Sequence, residues 1–108
     1  MFFRRNTGNS YRSLSMEKGM QEQRAGSLLL DVRSAEEYRS GHLPHSKNLP
    51  LQQIKDIYKL TKDKKLPLYV YCRSGARSRR ACLALCEYGF ENITDLGGIM
   101  RYKGAIEK

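Results

Sequence analysis

The stretch that most constrains this chain is Leu68-Tyr69-Val70-Tyr71-Cys72-Arg73-Ser74-Gly75-Ala76-Arg77-Ser78-Arg79-Arg80. It opens with an apolar run, partly β-branched and aromatic, which reads as a buried strand. The run stops at Cys72, and a short polar turn with one glycine follows. An alanine- and leucine-rich segment, Ala81-Cys82-Leu83-Ala84-Leu85-Cys86, then predicts a helix ending near Gly89. A cysteine therefore stands where a strand gives way to a loop and a helix N-terminus. Unpaired backbone N–H groups and the positive end of the helix dipole can both face its sulfur there.

A free cysteine titrates near ~8.5, so little of it is thiolate at neutral pH. Each unit of lowering needs about 1.4 kcal/mol of preferential stabilisation of the anion. Loop amides with Arg73 and Arg77 are suited to supply it, which makes Cys72 a candidate nucleophile in an anion-binding cradle. The structural alternative is a small hydrophobic residue buried at a strand end.

With 108 residues, the chain supports one domain with a single core. An apolar share of 40% is ordinary for a globular protein, and no run reaches the length of a membrane-spanning helix. The opening Met1-Phe2-Phe3-Arg4-Arg5-Asn6 lacks the apolar stretch of a secretory signal, so the expected compartment is the cytoplasm. Residues 1–12 read as a flexible leader and 13–108 as the domain. Three cysteines without a close CxxC pair or spaced histidines fit neither a metal site nor a disulfide scaffold. The net charge of +9 points to anionic partners. No nucleic-acid motif accompanies it, because the basic residues are scattered.

Along the chain, Leu14 is expected to open an edge strand, and Ser15 to cap a short helix reaching Arg24. Leu28-Leu29-Leu30-Asp31-Val32 reads as a strand buried on both faces. Ser34 and Glu37 form a capping box for a helix closed by the Gly41-His42-Leu43-Pro44 turn. Lys47 to Leu49 predicts a brief strand. Leu51, Ile54, Ile57 and Tyr58 recur at helical spacing, with a solvated turn at Lys62-Asp63-Lys64-Lys65. Ile93 to Leu96 predicts the last strand, followed by Gly97-Gly98 and a short helix. Alternating strands and helices argue for an α/β sandwich around a mainly parallel sheet, whose ligands bind beyond the carboxyl ends of the strands. Asp31 and Cys72 both fall at such ends.

Taken together, Leu30-Asp31-Val32-Arg33, Glu37-Tyr38, Gly41-His42-Leu43-Pro44, Asn48-Leu49-Pro50, Tyr71-Cys72-Arg73-Ser74-Gly75-Ala76-Arg77-Ser78 and Leu96-Gly97-Gly98 resemble the single-domain rhodanese (sulfurtransferase) family in order and spacing. The resemblance covers roughly residues 13 to 104. It implies a five-stranded, mainly parallel sheet flanked by helices on both faces, with Cys72 as the catalytic residue. In the family this cysteine takes a sulfane sulfur from a donor such as thiosulfate and becomes a persulfide. The sulfur then passes to a thiophilic acceptor, a thiol or a sulfur-relay protein. No cofactor or metal is implied. Arg73 and Arg77 would meet the thiosulfate dianion, and the amides of Ser74, Gly75, Ala76, Arg77 and Ser78 would hold the outer sulfur. One departure stands at Tyr102, where the family usually has tryptophan; either ring can wedge into the core.

The other marked residues read as support. Asp31 and Arg33 position the site edge, with Arg33 expected to pair with Glu37 four residues on. His42 reads as a turn histidine bonded to backbone, since attack by a formed thiolate needs no general base. Cys82 and Cys86, one helical turn apart, read as core residues, with a resolving-thiol role for Cys82 as the sharper alternative. A rival phosphatase or arsenate reductase on the same fold needs five residues between cysteine and arginine, whereas four stand between Cys72 and Arg77. A non-catalytic partner-binding module of this family usually lacks the cysteine, which is present here.

Overall fold

The computed structural model describes residues 10–108. Five strands form one sheet: β1 (Arg12–Ser13), β2 (Leu28–Asp31), β3 (Lys47–Asn48), β4 (Leu68–Cys72) and β5 (Ile93–Gly98). Their order is β1-β5-β4-β2-β3, and every neighbouring pair runs parallel. The connections carry α1 (Met16–Glu22), α2 (Ala35–Ser40), a tight 3-10 stretch Leu51–Asp56 running into α3 (Ile57–Leu60), and α4 (Ala76–Glu87).

Side chains of a strand alternate between the two faces of its sheet, and the core divides accordingly. Leu68, Val70 and Cys72 of β4 join Leu30, Ile54, Ile57, Ala81, Cys82, Leu85 and Phe90 on one face. Tyr69 and Tyr71, the intervening residues, join Met16, Leu29, Leu43 and Leu96 on the other. The expected α/β sandwich is therefore present, with α3 and α4 on one face and α1 on the other. Cys72 points to the α4 side, the side on which helix amides begin.

The carboxyl ends of β2 and β4 lie side by side, and from this point the chain winds outward in opposite directions, to β3 on one side and β5 on the other. Parallel sheets open a crevice at such a reversal. Asp31 closes β2 there and is fully buried. Its carboxylate accepts from Arg33 N at 2.9 Å, Arg33 Nε at 3.0 Å, Arg33 Nη2 at 2.6 Å and the Tyr71 hydroxyl at 2.8 Å. The Tyr71 hydroxyl in turn accepts from Leu43 N at 3.0 Å. A buried charge is tolerable only when paired and hydrogen-bonded, and this one is.

Several expectations shift. Residues 1–9 of the expected leader lie outside the described residues, and Arg12, also assigned to the leader, already pairs with β5. The edge strand thus forms two residues before Leu14. The helix from Ser15 ends at Glu22, short of Arg24, with Ser15 Oγ accepting from Lys18 N as its cap. The helix expected from Leu51 begins as the 3-10 stretch and kinks at Gln53 (φ −114°, ψ 21°). Gln53 N donates to Pro50 O three residues back, which tightens the first turn. Tyr58, expected on its apolar face, is exposed, whereas Ile54 and Ile57 are buried. After Gly98 only a 3-10 turn, Ile99–Arg101, stands in place of the expected helix. Tyr102 does pack against the Tyr71 face of the core, as an aromatic wedge there should.

Tyr71→Phe removes a donor from Asp31 and an acceptor from Leu43 N, leaving two buried groups short of a partner. Denaturant unfolding should show a loss of about 1–3 kcal/mol with an unchanged slope against denaturant.

Candidate active site

The loop between β4 and α4 is short: Arg73, Ser74 and Gly75 are its whole length. The helix starts at Ala76, five residues before the alanine-rich segment that predicts it. Arginine is a good helix former, so Arg77, Arg79 and Arg80 extend the helix toward the strand. Gly75 is the N-cap, with φ 109° and ψ −18°, a left-handed conformation that other residues adopt only under strain. Its carbonyl accepts from Ser78 Oγ at 3.0 Å and Arg79 N at 3.1 Å, which closes the turn.

Within this turn Gly75 N–H donates to Cys72 Sγ at 3.0 Å. Cys72 itself is buried, while Arg73, Ser74 and Ala76 are exposed around it. Arg77 and Ser78 were read from sequence as loop residues; they occupy the first turn of α4 instead. The loop is held from behind by β5. Met100 N donates to Arg73 O at 3.0 Å, and a Cβ on Gly98 would overlap the Arg73 carbonyl and the Ser74 backbone. A register shift between Val70 and Tyr71 accompanies this approach, with Gly97 at φ 76° and its N–H on Asp95 Oδ1.

The family model described as a rhodanese-like domain matches residues 14–105. The chain belongs to the rhodanese-like family. Among its relatives, the thiosulfate sulfurtransferase PspE of Escherichia coli is 34% identical over 71 residues, 65% of this chain and 68% of that protein. The adenylyltransferase and sulfurtransferase uba4 of Ogataea parapolymorpha is 39% identical over 80 residues, 73% of this chain. The chain spans 21% of that relative's length. A solved structure described as a rhodanese with anions from E. coli superposes with a TM-score of 0.71 at 30% identity, covering 76% of this chain and 98% of that one. This rhodanese-like chain therefore sits among proteins named sulfurtransferases. No helix among the described residues is long and apolar enough to cross a membrane.

The supporting residues of the rhodanese-like site fall differently from the sequence reading. Arg33 does not pair with Glu37. It folds back on Asp31 and gives its remaining contact to Gly41 O at 2.6 Å, because the buried carboxylate two residues earlier is its nearest countercharge. Glu37 instead accepts both Nη groups of Arg77, at 2.7 and 2.9 Å, while its Oε1 also caps Ser34 N. This fork ties α2 to the first turn of α4 (an interaction forty residues apart in sequence) and was not anticipated. The signal for it was present in the spacing of Glu37 and Arg77 relative to two strand ends that share one edge. His42 Nδ1–H donates to Tyr38 O at 2.8 Å, with its ring stacked on Tyr38. Cys82 is fully buried, and burial pushes its thiol well up from the ordinary range; burial also raises Cys86.

Hydrogen bonds from Arg77, aided by those with Ser34 and opposed by burial, hold the Glu37 carboxyl at about 2, below its ordinary 4.5. A depressed folded-state value contributes stability above the unfolded value, and that contribution is lost as pH falls toward the folded one. The stability gap between wild type and Glu37→Gln should thus be full above about pH 5 and close between 4.5 and about 2. Urea unfolding at stepped pH reads it, and a gap that widens on acidification would contradict the assignment.

Proposed function

We propose that the protein is a sulfurtransferase that carries sulfane sulfur on Cys72, from thiosulfate or a persulfide donor to a thiophilic acceptor. The observation that carries this reading is the Gly75 N–H at 3.0 Å from Cys72 Sγ, at the head of a helix that starts immediately afterwards. A backbone donor aimed at the sulfur at a helix N-terminus favours its anionic form and, after loading, the anionic outer sulfur of a persulfide.

The chemistry is an exchange at sulfur. The Cys72 thiolate attacks the outer sulfur of thiosulfate, a new S–S bond forms, the donor S–S bond breaks, and sulfite departs with the electron pair. Arg73, exposed beside the loop, supplies positive charge for the departing anion. Arg77 shares in this with the N–H donors that Glu37 leaves free, since a guanidinium has five and the fork uses two. Asp31, Arg33 and His42 act at a distance, by fixing the edge on which the loop stands. The short span of four residues between Cys72 and Arg77 suits one sulfur atom better than a tetrahedral phosphate.

Incubation with thiosulfate should add one sulfur, about 32 Da, to the intact protein, mapped to Cys72 and absent in Cys72→Ala. Sulfur found on Cys82 or Cys86 with Cys72 unmodified would falsify the assignment.

Arg77→Ala, if folded, should lower kcat/KM for thiosulfate about tenfold and that for an uncharged persulfide donor much less. An equal loss with both donors would make Arg77 a scaffold for α2 and α4 rather than a contact for the donor.

A further inference from the structure

Arg73 and Arg77 bring two positive charges to the cysteine turn, and the fold cancels one of them. Arg77 lies fork to fork with Glu37, Nη1 on Oε1 at 2.7 Å and Nη2 on Oε2 at 2.9 Å. The two side chains are only 33% and 29% exposed, so solvent screens the pair incompletely. Arg73 is exposed and forms no ion pair among the described residues.

Glu37 is fixed in this position. Its N–H donates to Ser34 Oγ at 3.2 Å, and its Oε1 accepts from Ser34 N at 3.0 Å as well as from Arg77. The capping box that starts α2 therefore also presses a carboxylate against the first turn of α4. Hydrogen bonding to Glu37 raises the Arg77 guanidinium, burial opposes this, and the charges of Glu37, Cys72 and Asp31 add to the rise. Arg77 thus stands in the electrostatic field of both the carboxylate and the sulfur. The Asp31 charge is already matched by Arg33.

Resting on the sulfur-transfer reading above, we infer that Glu37 is a specificity-determining residue, which balances the Arg77 charge and so restrains the preference of the site for dianionic over monoanionic sulfur donors. It acts through Arg77 and touches no reacting atom. The second negative charge of a donor responds to the net charge of the Glu37–Arg77 pair, which is zero in the native protein. The chemical step is the same for either donor. The Cys72 thiolate bonds to the outer sulfur, the donor bond to that sulfur breaks, and Cys72 is left as the persulfide anion. Sulfite from thiosulfate, or methanesulfinate from the methanethiosulfonate anion, departs with the electron pair. No oxidant or reductant enters.

Loading of Cys72 on the full chain, followed by intact mass without any acceptor, tests this with thiosulfate as the dianion and methanethiosulfonate as the monoanion. The quantity read is the ratio of the two loading efficiencies, thiosulfate over methanethiosulfonate. Glu37→Gln keeps an Oε1 acceptor for Ser34 N and Arg77 Nη1 but leaves the pair with one positive charge. The ratio should rise about fivefold, through a lower half-saturating thiosulfate concentration rather than a faster limiting rate. Arg77→Gln leaves one negative charge and should lower the ratio. The double variant Glu37→Gln/Arg77→Gln again has no net charge, and its ratio should return toward the native value. All of these differences should shrink as salt rises. A fork that only ties the helices together would slow both donors alike. A ratio unchanged or lowered by Glu37→Gln overturns the inference and leaves sulfur transfer standing. So does a double variant that keeps the ratio of Arg77→Gln, a comparison that holds even where Glu37→Gln alone does not fold. Failure of wild-type Cys72 to load from either donor overturns both readings.

Discussion

The buried Asp31 carboxylate is the interaction on which the organisation of this molecule rests. It lies at the end of β2 with no solvent contact, and its partners come from three places at once. Arg33 reaches back from the following turn, Tyr71 reaches across from β4, and through Tyr71 the backbone of Leu43 is drawn in. The Asp31 carbonyl also accepts from Asn48 Nδ2 and Leu49 N, which binds the edge strand β3 to the same point. A charge so placed cannot be left unpaired without a penalty of several kcal/mol. Three consecutive strand ends in space are thereby held level, and the loop after Cys72 starts from that level edge.

The two faces of the sheet divide the work. The face bearing α4 is apolar around Val70, Leu85 and Phe90, and Cys72 is its outermost member on β4. The opposite face carries Tyr69 and Tyr71, whose hydroxyls leave the apolar layer at its ends, the first to Glu22 and the second to Asp31. Alternation along a single five-residue strand thus puts packing and sulfur on one side and polar anchoring on the other. Glu37 and Arg77 then bridge over the top of the sheet, joining helices that belong to different crossovers.

Much of this was legible in the residues themselves. The apolar runs before Asp31 and Cys72 have the length and composition of doubly covered strands, so the sheet and its rich edge followed directly. The Ser34–Glu37 capping box was equally plain, because both of its hydrogen bonds are local. The failures are instructive in kind. Arg33 was matched to Glu37 by helical spacing, but Arg33 lies outside the helix and its real partner is two residues away in an extended segment. The Ala81–Cys86 run marks only the middle of α4; arginine is nearly as good a helix former as alanine, so the helix begins earlier, at Ala76. The Glu37–Arg77 fork and the Gly98 contact depend on how crossovers stack. The fork is hinted at only by the spacing of its partners beyond two adjacent strand ends, and no pattern in the sequence encodes the Gly98 contact.

The approach of Gly98 to the Arg73–Ser74 backbone limits how the sulfur loop can change over evolutionary time. A loop that wraps a larger oxyanion has to bulge outward by at least a residue, and here the rear of the turn already rests on bare main chain. Growth in that direction is barred unless the exit of β5 retreats with it, which would disturb the register at Gly97 and the seating of Tyr102. Growth in the other direction meets the first turn of α4, anchored to α2 through Arg77. A single insertion near Ser74 therefore has no slack to occupy. Diversification of such a chain is channelled away from the loop and into the side chains at its rim, where Arg73, Met100 and Arg101 can each vary without moving the main chain beneath them.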